Sequence, residues 1–310
     1  MGAILAMRAL RLCLLAAALA WAGPAAAELR IVATTSDLRS LAEAVAGDLA
    51  TVESIVPPGA DAEAFEPRPS DLLKLRGADL LIEVGIGYDH WIDRLVSQLG
   101  EPRLMRGGDA AVDCSVGIPF LEVRGRSPLP SDGHAHGQAN PHYWLDPVNA
   151  ETITAAIVEG IARVAPAARE QAIANRARFL ATLHAKLGEW ERALAPFEGV
   201  PLIAYHNSWP YFARRFRLRI VDVIEPREGV APSAARLAGL VATAKQIQVR
   251  AVLHEPYEPE DASRLVASRA GIPVVPMATG VDSRPEVKDY LGLFDYNVAA
   301  LARALTASTH

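Results

Sequence analysis

Residues 166–195 read PAAREQAIANRARFLATLHAKLGEWERALA, a run rich in Ala, Arg, Glu and Leu near the middle of the chain. Apolar residues recur there at helical spacing, at Ile173, Phe179, Leu180, Leu183 and Leu187. Proline suits the first position of a helix, so we predict one helix ending near Val164 and a long one beginning at Pro166. Because a long helix is a stiff connector, the parts that it joins should move little relative to each other.

Strand-like and helical runs alternate on both sides of this helix. The strand-like runs of the first half are 29–33, 51–56, 80–84 and a shorter one at 104–106. Those of the second half are 202–205, 220–224, 251–254 and 273–276. The alternation predicts an α/β protein of two lobes, each a mostly parallel sheet flanked by helices, joined by a long rigid helix. We predict an N-terminal lobe at 28–150, linking helices at 151–196 and a C-terminal lobe at 197–310.

The N-terminus has the pattern of a secretory signal peptide. Arg8 and Arg11 precede an apolar run at 12–21, and small residues end the segment at Ala27. The run is too short to span a bilayer as a helix. We therefore predict that residues 1–27 are a cleaved signal peptide and that the mature protein is periplasmic.

The net charge of the chain limits the partners that it can bind, and its cysteine content limits how disulfides can stabilise it. The 310-residue chain has a formal net charge of −5, and loss of the two signal-peptide arginines makes it more acidic. An acidic protein is a poor match for nucleic acid. Cys114 is the one cysteine after the signal peptide, so we expect no internal disulfide and a buried, small side chain at that position.

Two histidines occupy positions typical of metal ligands. His142 lies in Asn140-Pro141-His142-Tyr143-Trp144-Leu145-Asp146-Pro147, between two prolines that stiffen the backbone, and His206 follows the first predicted strand of the second half. A neutral imidazole nitrogen is a ligand for zinc and other transition metals. Ligands of open α/β sheets collect at the carboxyl ends of the strands, so both histidines and the 57–67 segment can face one cleft. The alternative is that His142 is a partly buried polar residue beside a packed Trp-Tyr pair.

From about residue 29 to 305 the chain resembles the metal-binding solute receptors of ABC transporters, the cluster that includes zinc and manganese periplasmic binding proteins. The matching segments are 56–61, 65–71, 140–147, 205–212, 224–226, 255–257 and 289–290. The resemblance implies two α/β lobes, a rigid linking helix and a metal ion in the cleft between the lobes. It also implies an ABC transporter permease in the inner membrane as partner, and we expect a monomer.

The resemblance places four residues in the metal site. His142 and His206 fall on positions where the family supplies ligands, and Glu63 stands where the family has its first histidine. The place of the family's last ligand, often an aspartate, is held by Met277, and the nearest carboxylate is Asp282. The predicted metal ligands are therefore Glu63, His142, His206 and Asp282. The alternatives are a solvated glutamate at 63 and an ordinary surface turn at 282.

Two imidazoles with carboxylates suit zinc and also manganese or iron, because carboxylate oxygen favours the harder ions. Zn²⁺ is the first choice because His206 stands where manganese receptors often have a carboxylate, with Mn²⁺ or Fe²⁺ as alternatives. We expect Glu255 to orient a ligand histidine and Glu225 to shape the rim of the cleft. A loop bearing His134 and His136 either collects metal or is an ordinary loop.

These features predict a periplasmic receptor that captures a divalent transition metal and delivers it to an ABC importer. Two alternatives remain open. One is a degenerate, low-affinity metal chaperone or a receptor for a non-metal ligand. The other is a metal-dependent hydrolase, which is disfavoured because the sequence has no H-E-x-x-H stretch. We therefore predict that the protein is not an enzyme.

Overall fold

The computed structural model describes residues 28–122, 139–225, 227 and 229–307. The predicted signal peptide, residues 1–27, lies outside the described residues. The strands of the first half are β1 Leu29–Ala33, β2 Ala50–Ser54, β3 Leu80–Glu83 and β4 Ala111–Asp113. Those of the second half are β5 Pro201–Ala204, β6 Arg219–Val223, β7 Ala251–His254 and β8 Val274–Pro276.

Each half of the described chain forms a four-stranded sheet in which every strand pair is parallel. The strand orders are β2-β1-β3-β4 and β6-β5-β7-β8, so the two halves repeat one topology. In the first sheet Val32 pairs with Glu53 on one side and Leu81 on the other. The two-lobed α/β fold that the sequence predicts is confirmed.

Helices cover these sheets and connect their strands. They are α1 Ser36–Ala46, α2 Leu72–Leu75, α3 Ile92–Leu99, α4 Ala150–Val164, α5 Arg169–Leu194, α6 Pro210–Arg215, α7 Ala234–Gln246, α8 Glu260–Ala270 and α9 Tyr290–Ala307. The ends of α1 show how the sequence sets these boundaries. The Thr35 hydroxyl accepts a hydrogen bond from Leu38 N, and the helix ends at Ala46, directly before Gly47, whose φ of 53° favours glycine.

The long helix α5 has 26 residues, and a short 3₁₀ turn at Pro166–Ala168 precedes it. It packs against α1 of the first half, against the neighbouring linking helix α4 and against α9 of the second half. Leu183, Trp190 and Leu194 are buried along it, and the Trp190 indole donates to the Asp295 carboxylate of α9 at 2.8 Å. Ile173, which the helical spacing placed on the apolar face, is instead 41% exposed. The connector is thus held by side chains of both halves.

The fourth strand of the first half differs from the prediction. A 3₁₀ turn occupies Pro102–Leu104, where the sequence favoured a strand at 104–106, and β4 lies seven residues later at Ala111–Asp113. Leu104 is buried, but as part of a turn that starts with proline. The apolar side chain of Leu104 therefore indicates that the residue is buried, not that it belongs to a strand. The strand that pairs with β3 includes Ala111 and Val112.

The beginning of α1 bonds directly to the second lobe. Val281 N donates to Asp37 Oδ1 at 2.9 Å, and the Ser36 hydroxyl donates to Val281 O at 2.6 Å. Arg39 forms an ion pair with Asp282 at 2.7 Å. Burial raises the pKa of Asp37 to about 7, opposed by the bond from Val281 N. These contacts join the lobes beside the cleft.

Candidate metal centre

Three segments far apart in sequence meet in the cleft. Glu63 lies in the loop after β2, and Asp61 Oδ1 accepts a hydrogen bond from Glu63 N at 2.9 Å. His142 precedes the 3₁₀ turn Tyr143–Leu145. His206 follows β5, at the carboxyl end of the second sheet. The general rule that ligands collect at the carboxyl ends of parallel strands therefore describes this cleft.

Glu63, His142 and His206 can each offer one ligand atom, and these atoms all lie within 4.8 Å of one another. Glu63 Oε1 is 3.2 Å from His142 Nε2, and Glu63 Oε2 is 3.5 Å from His206 Nε2. All three residues are buried. Among the described residues, this is the one group of three or more such side chains that could hold a metal ion. Two nitrogen donors and one carboxylate form a chemically sound set for a divalent transition metal.

Asn140 fixes the orientation of the His142 ring. Its Oδ1 accepts a hydrogen bond from His142 N at 3.0 Å and lies 3.1 Å from His142 Nδ1. Because Oδ1 can only accept, Nδ1 is the donor of this pair, and Nε2 is the ring nitrogen that faces Glu63. The rings of Tyr88 and Trp144 lie against the imidazole, with centroids at 5.8 and 5.3 Å. His142 is therefore presented as an Nε2 ligand.

Glu225 fixes the orientation of the His206 ring, as Asn140 does for His142. Its Oε2 lies 2.5 Å from His206 Nδ1, and its Oε1 accepts from Gly229 N at 2.7 Å. Burial lowers the pKa of His206, but the bond to Glu225 and the charges of Glu63 and Glu255 raise it to about 10. His206 Nε2 is buried and makes no hydrogen bond within the part of the chain that the structure describes. A buried ring nitrogen of this kind fits a cation in the cleft.

Comparison with known proteins identifies the family. The sequence profile of the ZnuA family, described as zinc-uptake complex component A, periplasmic, matches residues 31–304. The chain belongs to this family. It is made up of solute-binding receptors of ABC transporters and not of enzymes, so the prediction that the protein is not an enzyme is confirmed.

The relatives of this ZnuA-family chain differ in the metal for which they are named. The chain is 28% identical over 244 residues to the high-affinity zinc uptake system protein ZnuA of Yersinia pestis, covering 74% of this chain and 76% of that protein. It is 24% identical over 285 residues to the manganese-binding lipoprotein MntA of Halalkalibacterium halodurans, with 90% and 89% covered. A crystal structure of ZnuA has a TM-score of 0.74 at 27% identity, covering 89% of this chain and 98% of that one.

Asp282, the fourth predicted ligand of this ZnuA-family chain, is not brought to the group. Its carboxylate pairs with Arg39 at 2.7 Å and lies 3.9 Å from Lys288 Nζ. Its φ of 60° places the backbone in the left-handed region, as in a tight turn. Met277, which holds the place where the resemblance implies the family's last ligand, is fully buried. The structure thus assembles three of the four predicted residues.

The residue that orients His206 differs from the one the sequence favoured. Glu255 Oε1 accepts from Trp209 Nε1 at 2.7 Å and from the Ser208 hydroxyl at 3.2 Å, so it supports the turn after His206. Burial raises the pKa of Glu255 to about 7. Glu225, assigned to the rim by sequence, is instead the direct partner of the imidazole. Glu225 follows β6 at the same edge of the sheet as His206 follows β5, but Glu255 follows β7 at that edge too, so strand position alone does not distinguish the two.

Cys114 is buried, as expected. The loop bearing His134 and His136 lies outside the described residues. No helix in the described ranges is long and apolar enough to span a bilayer.

Proposed function

We propose that this protein is an exported receptor that captures a divalent transition metal with Glu63, His142 and His206 and delivers it to an ABC importer in the inner membrane. The supporting observation is the meeting of three buried donor groups from distant segments within 4.8 Å. Each imidazole has a separate partner on its Nδ1 side, which leaves Nε2 directed at Glu63. Ligand histidines in metalloproteins are commonly held in this way.

Zinc is the ion that we propose first, because two of the three donors are imidazole nitrogens. Glu63 supplies the hard oxygen that would favour manganese or iron. Asp282 is not part of the proposed set, because its carboxylate is engaged by Arg39. In the proposed mature protein, residues 28–150 and 197–310 form the two lobes and 151–196 link them. Residues 1–27 would be removed on export, and the mature protein would act in the periplasm. We propose that it acts there as a monomer.

The test is metal analysis and calorimetric titration of the untagged mature protein, with zinc and manganese in competition. We expect one bound ion per chain and a large loss of affinity in His142→Ala and in His206→Ala. His184→Ala is the matched control, because His184 is an exposed histidine that also contacts a carboxylate, 2.8 Å from Glu151 Oε1. Binding that survives both cleft substitutions, or that falls equally in the control, would refute the proposed site.

A further inference from the structure

Glu122 joins the two lobes beside the proposed ligands. One of its carboxylate oxygens, Oε2, accepts from Asn207 Nδ2 at 2.7 Å and from Asn140 Nδ2 at 3.2 Å. Asn140 Nδ2 also donates to Asn207 O at 2.9 Å, which closes a ring of three residues. Asn140 lies two positions before His142, and Asn207 directly follows His206. A single oxygen therefore holds the neighbours of both imidazoles.

The backbone around Glu122 is held in an unusual conformation. Its φ is 54°, in the left-handed region that residues with a Cβ rarely adopt. The flanking backbone is tied down, since Asn140 N donates to Leu121 O at 3.1 Å and Leu121 N donates to the Tyr211 hydroxyl at 3.0 Å. That hydroxyl in turn donates to Asn140 O at 2.9 Å. An unfavourable backbone angle persists where surrounding contacts determine it, as they do here.

The contacts of Asn140 transmit the position of Glu122 to the metal site. Asn140 Oδ1 bonds the backbone of His142 and lies 3.1 Å from its Nδ1, while the amide of the same side chain bonds Glu122 and Asn207. The ring centroids of His142 and His206 are 5.5 Å apart. A metal ion requires its donors at defined distances and angles, so the spacing of these rings determines how well the cleft fits an ion.

We propose that Glu122 is a positioning residue that sets the separation and orientation of His142 and His206 through Asn140 and Asn207. This inference rests on the proposed function, because it assigns Glu122 a part in building that same site. Glu122 is not one of the three residues that could offer the ion a ligand atom. Its side chain is exposed, so its replacement removes hydrogen bonds without opening a cavity in the core.

Two substitutions of Glu122 distinguish the effect of its hydrogen bonds from the effects of its left-handed backbone and of its negative charge. Glu122→Gly removes the carboxylate and suits the left-handed backbone, whereas Glu122→Gln keeps an oxygen that can accept from both amides. Gln248→Gly is the matched control, because Gln248 is also exposed, has a φ of 56° and lies just before β7. The measurements are zinc affinity by chelator competition, the visible spectrum of the Co²⁺-loaded protein and the melting temperature without metal.

We expect Glu122→Gly to weaken zinc binding about tenfold or more, as loss of an outer partner of a metal ligand commonly does. The Co²⁺ spectrum should change, because the geometry of the donors changes, while the melting temperature without metal stays level or rises. Glu122→Gln and Gln248→Gly should bind zinc nearly as tightly as the wild-type protein.

If Glu122→Gly binds zinc as tightly as the wild-type protein and its Co²⁺ spectrum is unchanged, the inference is overturned. It is also overturned if that variant loses affinity only together with thermal stability, or if Glu122→Gln loses as much affinity as Glu122→Gly. Failure of the wild-type protein to bind zinc or Co²⁺ at all is a different result, because it would refute the proposed function.

Discussion

Glu225 Oε2 lies 2.5 Å from His206 Nδ1, while His206 Nε2 faces Glu63 at 3.5 Å. The imidazole is thus placed between two carboxylates, one on each ring nitrogen. The carboxylate on Nδ1 holds the ring and increases the basicity of Nε2, which would strengthen a bond from Nε2 to a metal ion.

Replacement of Glu225 should weaken metal binding without removing a ligand. Glu225→Gln keeps the shape of the side chain but replaces a charged acceptor by a neutral one, so we expect an affinity loss of about tenfold. Titration calorimetry with zinc measures it. Glu198→Gln is the control, because Glu198 is an exposed carboxylate of the same lobe that pairs with Arg217. Equal affinity in Glu225→Gln and wild type would show that the contact does not assist binding.

Metal binding should release protons and weaken as the pH falls. The pKa of His206 is raised to about 10 in the metal-free protein, so its imidazole is protonated at neutral pH. A metal ion binds only the neutral ring and must displace that proton. Below this pKa, the affinity for the metal ion should fall about tenfold per pH unit for each proton that the ion displaces. Calorimetry in buffers of different ionisation enthalpy counts the protons, and a flat affinity from pH 7 to pH 5 would exclude histidine ligation.

The lobes should move little when metal binds. The connector α5 packs against helices of both halves, and Asp37 and Arg39 of the first lobe bond Val281 and Asp282 of the second. A rigid-body closure would have to break these contacts. Small-angle X-ray scattering with and without zinc should give nearly equal radii of gyration. A clear decrease on adding metal would mean that the lobes close about a hinge.

Much of the fold is predictable because it depends on local pattern. Strands β1 and β7 begin and end where the apolar runs indicate, and α4 ends at Val164 as the following proline requires. His142 and His206 are recognisable for a related reason, since each lies in a short motif at a predictable place in the α/β repeat. Their meeting in one cleft follows from parallel topology.

The partners of the site residues are not predictable in this way. Glu225 and Glu255 both follow strands of the second sheet, and only the packing of the side chains determines which one reaches His206. Asp282 is paired with a residue 243 positions earlier in the sequence, Arg39. Such contacts depend on how the lobes meet, and no periodicity in the sequence describes that arrangement.

Glu63 stands where the resemblance to the family implies a histidine, and its substitution tests the proposed site most directly. Glu63 lies 3.2 Å from His142 Nε2 and 3.5 Å from His206 Nε2, so loss of its carboxylate leaves two imidazoles without the third donor. Glu63→Ala should weaken binding more than loss of an outer partner does, by more than about a hundredfold. Glu66→Ala is the control, because Glu66 is an exposed carboxylate of the same loop.

Glu63→His should bind metal but change its preference. A third imidazole favours zinc over manganese, because nitrogen donors suit zinc better than they suit the harder ion. Calorimetric titration of Glu63→His, Glu63→Ala and wild type with both metals gives the ratio of the two affinities for each protein. We expect the zinc-to-manganese ratio to rise in Glu63→His relative to wild type. An unchanged ratio, together with unchanged affinity in Glu63→Ala, would place Glu63 outside the metal's ligands and leave the two histidines to bind the ion with water.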